Sequence, residues 1–224
     1  MGTDSIIKFT LEGTLVDTWG TEGSGQGQFK NPTGVSVDSG GFVFVADTEN
    51  YRVQKFTSGG TFVTEWEVSK PNDVAVDSSG NVLTVQENEC IVQKFNSTGT
   101  KIASWNFEKP HTCRGFGIAT DANNNVYITA QSQERVRKFD STGNAILWWS
   151  GGGSGFYNPR GIDIDLSGNV YVVDNDNYRI QKFDCNGSFL ELWPAGQLLD
   201  VAADNFGKLY VAGSSGVSKQ TSGE

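Results

Sequence analysis

The sequence predicts an all-β fold: a five-bladed β-propeller of four-stranded antiparallel blades, with one blade closed by both chain ends. Three observations predict it. A segment recurs about every forty residues, each recurrence holds four short β-rich runs, and turn residues stand at fixed places between the runs. The first run reads PTGVSVD at Pro32–Asp38, PNDVAVD at Pro71–Asp77, PRGIDID at Pro159–Asp165 and LLDVAAD at Leu198–Asp204, with a fifth copy, GFGIATD, at Gly115–Asp121. An apolar second run follows at Phe42–Ala46, Val82–Val85, Val126–Thr129, Val170–Val173 and Leu209–Ala212. The third is RVQKF, IVQKF, RVRKF and RIQKF, at Arg52–Phe56, Ile91–Phe95, Arg135–Phe139 and Arg179–Phe183. The fourth ends each time in Trp, at Phe62–Trp66, Lys101–Trp105, Ala145–Trp149 and Phe189–Trp193.

The turns have a physical reason. DSSGN at Asp77–Asn81 and DLSGN at Asp165–Asn169 place an Asx-type acceptor and a glycine able to take positive φ where a tight hairpin needs them. Ser58–Gly60, Ser97–Gly99 and Ser141–Gly143 repeat the device before the fourth run. At the ends, Ile6–Thr10 and Thr14–Trp19 read as third and fourth strands, while Asp200–Ala203 and Leu209–Ala212 read as first and second strands. Joined, they complete a fifth blade and cover otherwise open edges. Val217–Thr221 also resembles a third strand, and this supports an alternative: an excised part of a longer, six-bladed array. The chain reads as one domain, 1–224, with blades at about 31–70, 71–109, 110–158, 159–197 and 198–224, the last completed by 1–30.

Composition sets the class. With 28 Gly, 5 Pro, 19% charged and 12% aromatic residues, this is a folded β-rich chain. No apolar run approaches the roughly 18 residues of a membrane span, and Met1–Thr10 lacks the basic and apolar regions of a signal peptide, so no membrane insertion is expected. Met1-Gly2 and Ser222–Glu224 have the look of the edges of an expressed segment. A formal charge of −9, from 17 basic and 26 acidic side chains, argues against a generic nucleic-acid surface.

The glycine-rich leads GQGQFKNP at Gly25–Pro32 and GSGFYNP at Gly153–Pro159, with Val45–Asp47 before Arg52 and Val172–Asp174 before Arg179, resemble the NHL-repeat family. The resemblance covers nearly the whole chain. It implies the propeller fold and leaves function open, because relatives of this kind include RNA binders, partner-binding modules, extracellular propellers and a zinc-dependent lyase.

The repeats test their own charges. Asp47 and Asp174 each precede an Arg, Arg52 and Arg179, by five residues; in the second copy Gln86 and Ile91 replace both at once. Joint loss fits a structural pair bonded inside the blade, since losing one partner would strand a buried charge. In the third copy Ala130 stands in the Asp place while Arg135 remains, so Arg135 either bonds elsewhere or faces a ligand.

Loops leading into the first strand and joining the second to the third share one face of a propeller and converge on the channel mouth. The positions nearest the axis are Thr33, Asn72, Phe116, Arg160 and Leu199; the connecting loops include Thr48–Asn50, Glu87 to Glu89, Gln131–Glu134 and Asn175–Asn177. The third copy carries an insertion, His111 to Arg114, with the only His of the chain. The expected partner-binding set is thus His111, Arg114, Phe116, Arg135, Arg160, Asn72, Thr33, Glu87 and Glu89. Cys90 and Cys113 fall on this same face in neighbouring blades, where a disulfide is feasible and two free thiols are the alternative; Cys185 falls on the opposite face and stays free. A bridge would favour an extracytoplasmic location, free thiols a cytoplasmic one.

No set of residues fills the roles of a catalytic site. One His and one nearby Cys fall short of the three ligands of a catalytic zinc and of the His-rich set that the lyase relatives imply, and no loop has a dedicated calcium spacing. The expectation is a noncatalytic binding or scaffold propeller for a protein or peptide, with no metal and no cofactor. The alternatives are a metal-dependent lyase or hydrolase-like enzyme with a divalent metal at the channel, and an RNA-binding module. The Trp series reads as packing between blades, and the Lys of each third strand as solvated. Asn96–Thr98 and Asn186–Ser188 are sequons that matter only in a glycosylating compartment. Nothing in the sequence fixes the oligomeric state.

Overall fold

Each blade forms because its apolar residues alternate with a period of two and its strands end on Asp, Asn and Gly turns. The structure, a computed structural model, describes residues 4–86, 89–108, 114–204, 207–213 and 216–220. It is an all-β, five-bladed β-propeller. The N-terminal part holds a hairpin, β1 (Ile6–Phe9) with β2 (Leu15–Trp19), and a short parallel pair, β3 (Thr21–Glu22) with β4 (Gln28–Phe29). Blade 1 is β5 (Pro32–Val37), β6 (Val43–Asp47), β7 (Arg52–Phe56) and β8 (Phe62–Glu67). Blade 2 is β9 (Pro71–Val76), β10 (Val82–Gln86), β11 (Ile91–Phe95) and β12 (Lys101–Asn106). Blade 3 is β13 (Gly115–Thr120), β14 (Val126–Ala130), β15 (Arg135–Phe139) and β16 (Ala145–Trp149). Blade 4 is β17 (Pro159–Ile164), β18 (Val170–Asp174), β19 (Arg179–Phe183) and β20 (Phe189–Pro194). Blade 5 is β21 (Leu198–Ala203), β22 (Leu209–Gly213) and β23 (Gly216–Gln220).

The inner strands stand around the axis in the order β5, β9, β13, β17, β21. The core lies between blades. One cluster joins Leu83, Val85 and Val92 of blade 2 to Ile118, Val126, Ile128 and Phe139 of blade 3, and another joins Phe44 and Val53 of blade 1 to Val74, Val82 and Phe95 of blade 2. Each third-strand Phe is buried there, which contributes about 2–3 kcal/mol of transfer free energy per ring. The outer-strand Trp packs on the next blade: a Cβ added at Gly60, Gly99, Gly143 or Gly187 would fall within 2.8 Å of the indole of Trp19, Trp66, Trp105 or Trp149. Those glycines also hold φ between 77° and 91°, so the position excludes a side chain twice.

Two expectations are corrected. Three of the third-strand lysines are not solvated: Lys55, Lys94 and Lys138 are buried, and each ammonium donates to a carbonyl in the following blade's turn, at Ser97, Ser141 and Cys185, while Lys182 is half-buried. Lys94 also pairs with Asp77 at 2.8 Å. The pleat points these stems across the blade gap, where the aliphatic chain is covered and the head finds acceptors. The second correction concerns closure. Both chain ends meet, with the β1–β2 turn beside Tyr210, Val217 and Ser218, but among the described residues they share no sheet. β23 pairs with β22 through Ala212 and Val217, occupying the edge that β1 would need, and among the described residues β1 pairs only with β2.

Candidate functional site

Five first strands bring their second residues to one mouth. Thr33, Asn72, Phe116, Arg160 and Leu199 line it with Asn31, Pro32, Asp73 and Asp200, around a cavity of about 250 Å³. Two of these side chains are occupied in holding neighbouring blades. Asn72 Nδ2 donates to the Phe116 carbonyl at 2.9 Å, and Thr33 Oγ1 shares the Pro71 carbonyl with Thr48, whose hydroxyl reaches it at 2.7 Å. The others face the mouth. The Arg160 guanidinium lies 5.0 Å from the Phe116 ring centroid, with its Nε buried and unpaired, and Leu199 is exposed.

Below the mouth the channel widens to about 460 Å³ and carries three carboxylates, Asp73, Asp163 and Asp200. Asp73 and Asp200 border both spaces. Each fits under a glycine of the blade before it: a Cβ on Gly34 would stand 2.3 Å from Asp73 Oδ1, and one on Gly161 2.2 Å from Asp200 Oδ1. The carboxylates accept backbone amides, Asp73 from Val74 and Ile118, Asp200 from Val201 and Asp163 from Ala203. No cation pairs with them among the described residues. Burial, with Asp200's charge next, holds Asp73 well above the usual carboxylate range. Burial raises Asp200 to about 6, with Asp163 adding repulsion, and raises Asp163 to about 6, with Asp165 adding to it. Among the described residues no three His, Cys, Asp or Glu side chains converge as metal ligands, and the channel carboxylates are turned to separate backbone amides. Among the described residues these carboxylates do not form a metal-ligand set.

The expected site residues divide as follows. Thr33, Asn72, Phe116 and Arg160 are together at the mouth. Arg114 is exposed, and its carbonyl accepts from Gln131 N. Arg135 is held away from the mouth lining: its Nε is 3.8 Å from Glu108, which also binds Arg137, and its guanidinium lies over Trp148. Glu89 accepts from the Ser69 hydroxyl at 2.6 Å. Glu87, His111 and Cys113 lie outside the described residues. Cys90 is buried and disulfide-bonded, and Cys185 is free and exposed.

Asp47 and Arg52 bond at 2.8 Å and Asp174 and Arg179 at 2.6 Å, and the pairs sit in larger networks. Arg52 also donates to the carbonyls of Ser24, Gly25 and Gln28, while Gln54 bonds Asp47 and Gly27 N. Gln181 bonds Asp174 and Gly152 N in the same manner. These residues clamp the glycine-rich leads and so set where the first strand meets the mouth. The channel carboxylates were missed by the sequence reasoning; for Asp73 and Asp200 the signal was the third position of the first strand, which reads Gly34, Asp73, Gly117, Gly161, Asp200 around the ring, whereas Asp163 falls two residues after Gly161.

The NHL repeat family matches residues 29–56 and 156–183. A segment is 49% identical over 45 residues to the E3 ubiquitin-protein ligase TRIM71 of Mus musculus, covering 20% of this chain and 5% of that protein. Another is 48% identical over 48 residues to Protein lin-41 of Caenorhabditis elegans, covering 21% of this chain and 4% of that one. The chain therefore matches only a small part of these relatives' length. Among solved structures, a streptogramin B lyase superposes with TM-score 0.68 at 18% identity, covering 84% of this chain and 68% of that one. A catalytically inactive virginiamycin B lyase from Staphylococcus aureus with quinupristin gives 0.74 at 12%, covering 96% and 72%. At such identities the likeness is one of fold.

Proposed function

Because this chain carries NHL repeats in a propeller ring, we propose that it is a noncatalytic binding module that takes a protein or peptide segment at its loop-face mouth. The observation that carries this reading is a mixed mouth set over carboxylates that pair with no cation among the described residues. Arg160 stacked on Phe116, with Leu199 exposed beside them, offers an apolar and hydrogen-bonding rim. Asp73 and Asp200 beneath it favour a segment that lowers a Lys or Arg side chain into the channel, where the carboxylates would regain their charge. A cavity of about 250 Å³ admits one long side chain rather than a folded domain. A polyanion is disfavoured by the same carboxylates and by the net charge of −9.

Selection of random peptides displayed on phage tests this. Enriched peptides should share a basic residue, and their affinity should fall at least about tenfold with Arg160→Ala or with Asp73→Asn and Asp200→Asn together. Enrichment without a basic residue, or binding indifferent to these changes, would overturn the assignment. RNA binding that weakens steeply with salt would replace it with the nucleic-acid reading.

A further inference from the structure

Blade 4 extends the mouth outward over the loop face. From Arg160 the chain runs back through Pro159 and Asn158 to Tyr157, and the connection between β18 and β19 ends on Tyr178. These tyrosines are 56% and 53% exposed. Backbone hydrogen bonds fix where they stand. Tyr157 N donates to Asp174 Oδ1 at 2.7 Å, Asp176 N to the Tyr157 carbonyl at 3.1 Å and Ala195 N to the Tyr178 carbonyl at 2.7 Å. Asn175 Nδ2 donates to the Leu198 carbonyl, so the same connection is tied to the strand that carries Leu199 to the mouth. β17 lies between β13 and β21, and both neighbours of blade 4 are in place.

Neither ring serves the fold. Among the described residues, neither phenol hydroxyl has a hydrogen-bond partner and neither ring stacks on another aromatic side chain. Tyr178 is also strained: it holds φ 53° and ψ 48°, the left-handed region that a bulky side chain rarely takes. The turn accepts Cys90 at this place in blade 2 and Glu134 in blade 3, both with positive φ, so its geometry does not ask for an aromatic ring. Tyr51 fills the place in blade 1, but there Lys30 stands where Tyr157 does and Thr33 where Arg160 does. Of blades 1 to 4, only blade 4 joins a mouth cation to two exposed rings. A fixed tyrosine covers a large contact area at small entropic cost, and strain of this kind collects at ligand sites.

We infer that Tyr157 and Tyr178 form a second subsite for the partner, taking a large apolar side chain of the same peptide whose basic residue enters the mouth. The inference rests on the proposed function and adds to it what the partner must carry beside its basic residue. The chain from Tyr157 to Arg160 spans at most about 10 Å, and an extended peptide advances about 3.3 Å per residue, so the apolar residue falls two or three positions from the basic one. Charge agrees with this ligand. Asp176 and, from the neighbouring connection, Glu134 bring negative charge to the strip, and no cation pairs with either among the described residues. They attract the basic residue and discourage an acidic one.

The probe is a fluorescein-labelled synthetic copy of the basic peptide most enriched by phage selection on the full chain, followed by anisotropy. Its sequence should hold an aromatic or large aliphatic residue two or three positions from the basic one. Tyr157→Ala and Tyr178→Ala should each weaken binding at least about tenfold, and Tyr51→Ala less than about twofold. Replacing the peptide's apolar residue by alanine should cost about tenfold against the parent and little against Tyr178→Ala. Circular dichroism should show all three variants folded, since each side chain is exposed. On the unaltered protein, bound peptide should shield Tyr157 and Tyr178, but not Tyr51, from nitration by tetranitromethane. Binding indifferent to Tyr157→Ala and Tyr178→Ala, or nitration of both rings unchanged by the peptide, would overturn the subsite; if Arg160→Ala still weakens binding, the mouth reading survives that failure. An enriched set without basic residues would overturn both.

Discussion

Neutralising Asp200 should stabilise this protein at neutral pH. Its carboxyl is raised from 3.8 to about 6 in the fold, chiefly by burial and then by Asp163. A folded-state value above the unfolded one means that folding takes up a proton between about pH 4 and 6, so the associated stability is complete below the unfolded value and lost as pH rises through the folded one. A rise from 3.8 to about 6 corresponds to about 3 kcal/mol. Asp200→Asn keeps the shape, the space under Gly161 and the acceptor for Val201 N, but cannot ionise. The variant should therefore exceed the parent by about 3 kcal/mol at pH 7.5, or about 6–12 °C in Tm, and match it near pH 4. The difference between the two proteins must be read, because Asp77 and Asp165, lowered by their hydrogen bonds although burial opposes this, add stability with the opposite pH dependence. Urea unfolding at half-unit steps from pH 4 to 8 measures it. No gain at pH 7.5, or a gain that persists undiminished at pH 4, would refute the account of the channel.

Arg179→Ala should cost about 3–5 kcal/mol by denaturant unfolding, because it leaves Asp174 buried without its cation and frees the Gly155 carbonyl. Gly143→Ala should destabilise by more than about 1 kcal/mol, since its φ of 91° and an added Cβ 2.5 Å from the Trp105 indole both oppose a side chain. Arg160→Ala should weaken peptide binding and leave the urea midpoint within the error of the parent, as its guanidinium rests on the Phe116 ring at the mouth surface and forms no ion pair among the described residues. Intact mass without reductant should show two hydrogens lost and one alkylatable thiol, Cys185, if Cys90 is bridged to Cys113; three alkylatable thiols would remove that pairing.

The blades were legible because their code is local. A Val at the place of Val74, a Phe at the place of Phe95 and a Gly in the turn each follow from one strand's pleat and one hairpin's geometry, and they recur often enough to align. The mouth was legible for a related reason: the second residue of each first strand must point to the axis, so Thr33, Asn72, Phe116 and Arg160 could be placed together before their contacts were known. Their division of labour was not. Whether Asn72 recognises a partner or ties down the Phe116 carbonyl depends on the next blade, some forty residues away.

The same distance hid the lysines and the closure. Period-two alternation sends Lys55 away from the strand's own core face, but only the neighbouring turn shows that the Ser97 carbonyl waits there. Likewise, β1 and β23 carry equal claims to the edge of β22. The connection decides between them: β23 follows β22 two residues later in the sequence, so its loop-closure entropy is far smaller than that of bringing β1 from the other end of the chain. The channel carboxylates are the sharpest case. Asp73 under Gly34 and Asp200 under Gly161 are pairs across blades, and neither member is unusual by itself. A repeat alignment reads each position down its column, whereas a ring couples each column entry to the next one around the axis. Small residue then Asp, taken in ring order rather than one by one, is the pattern that marks an acidic channel in this chain.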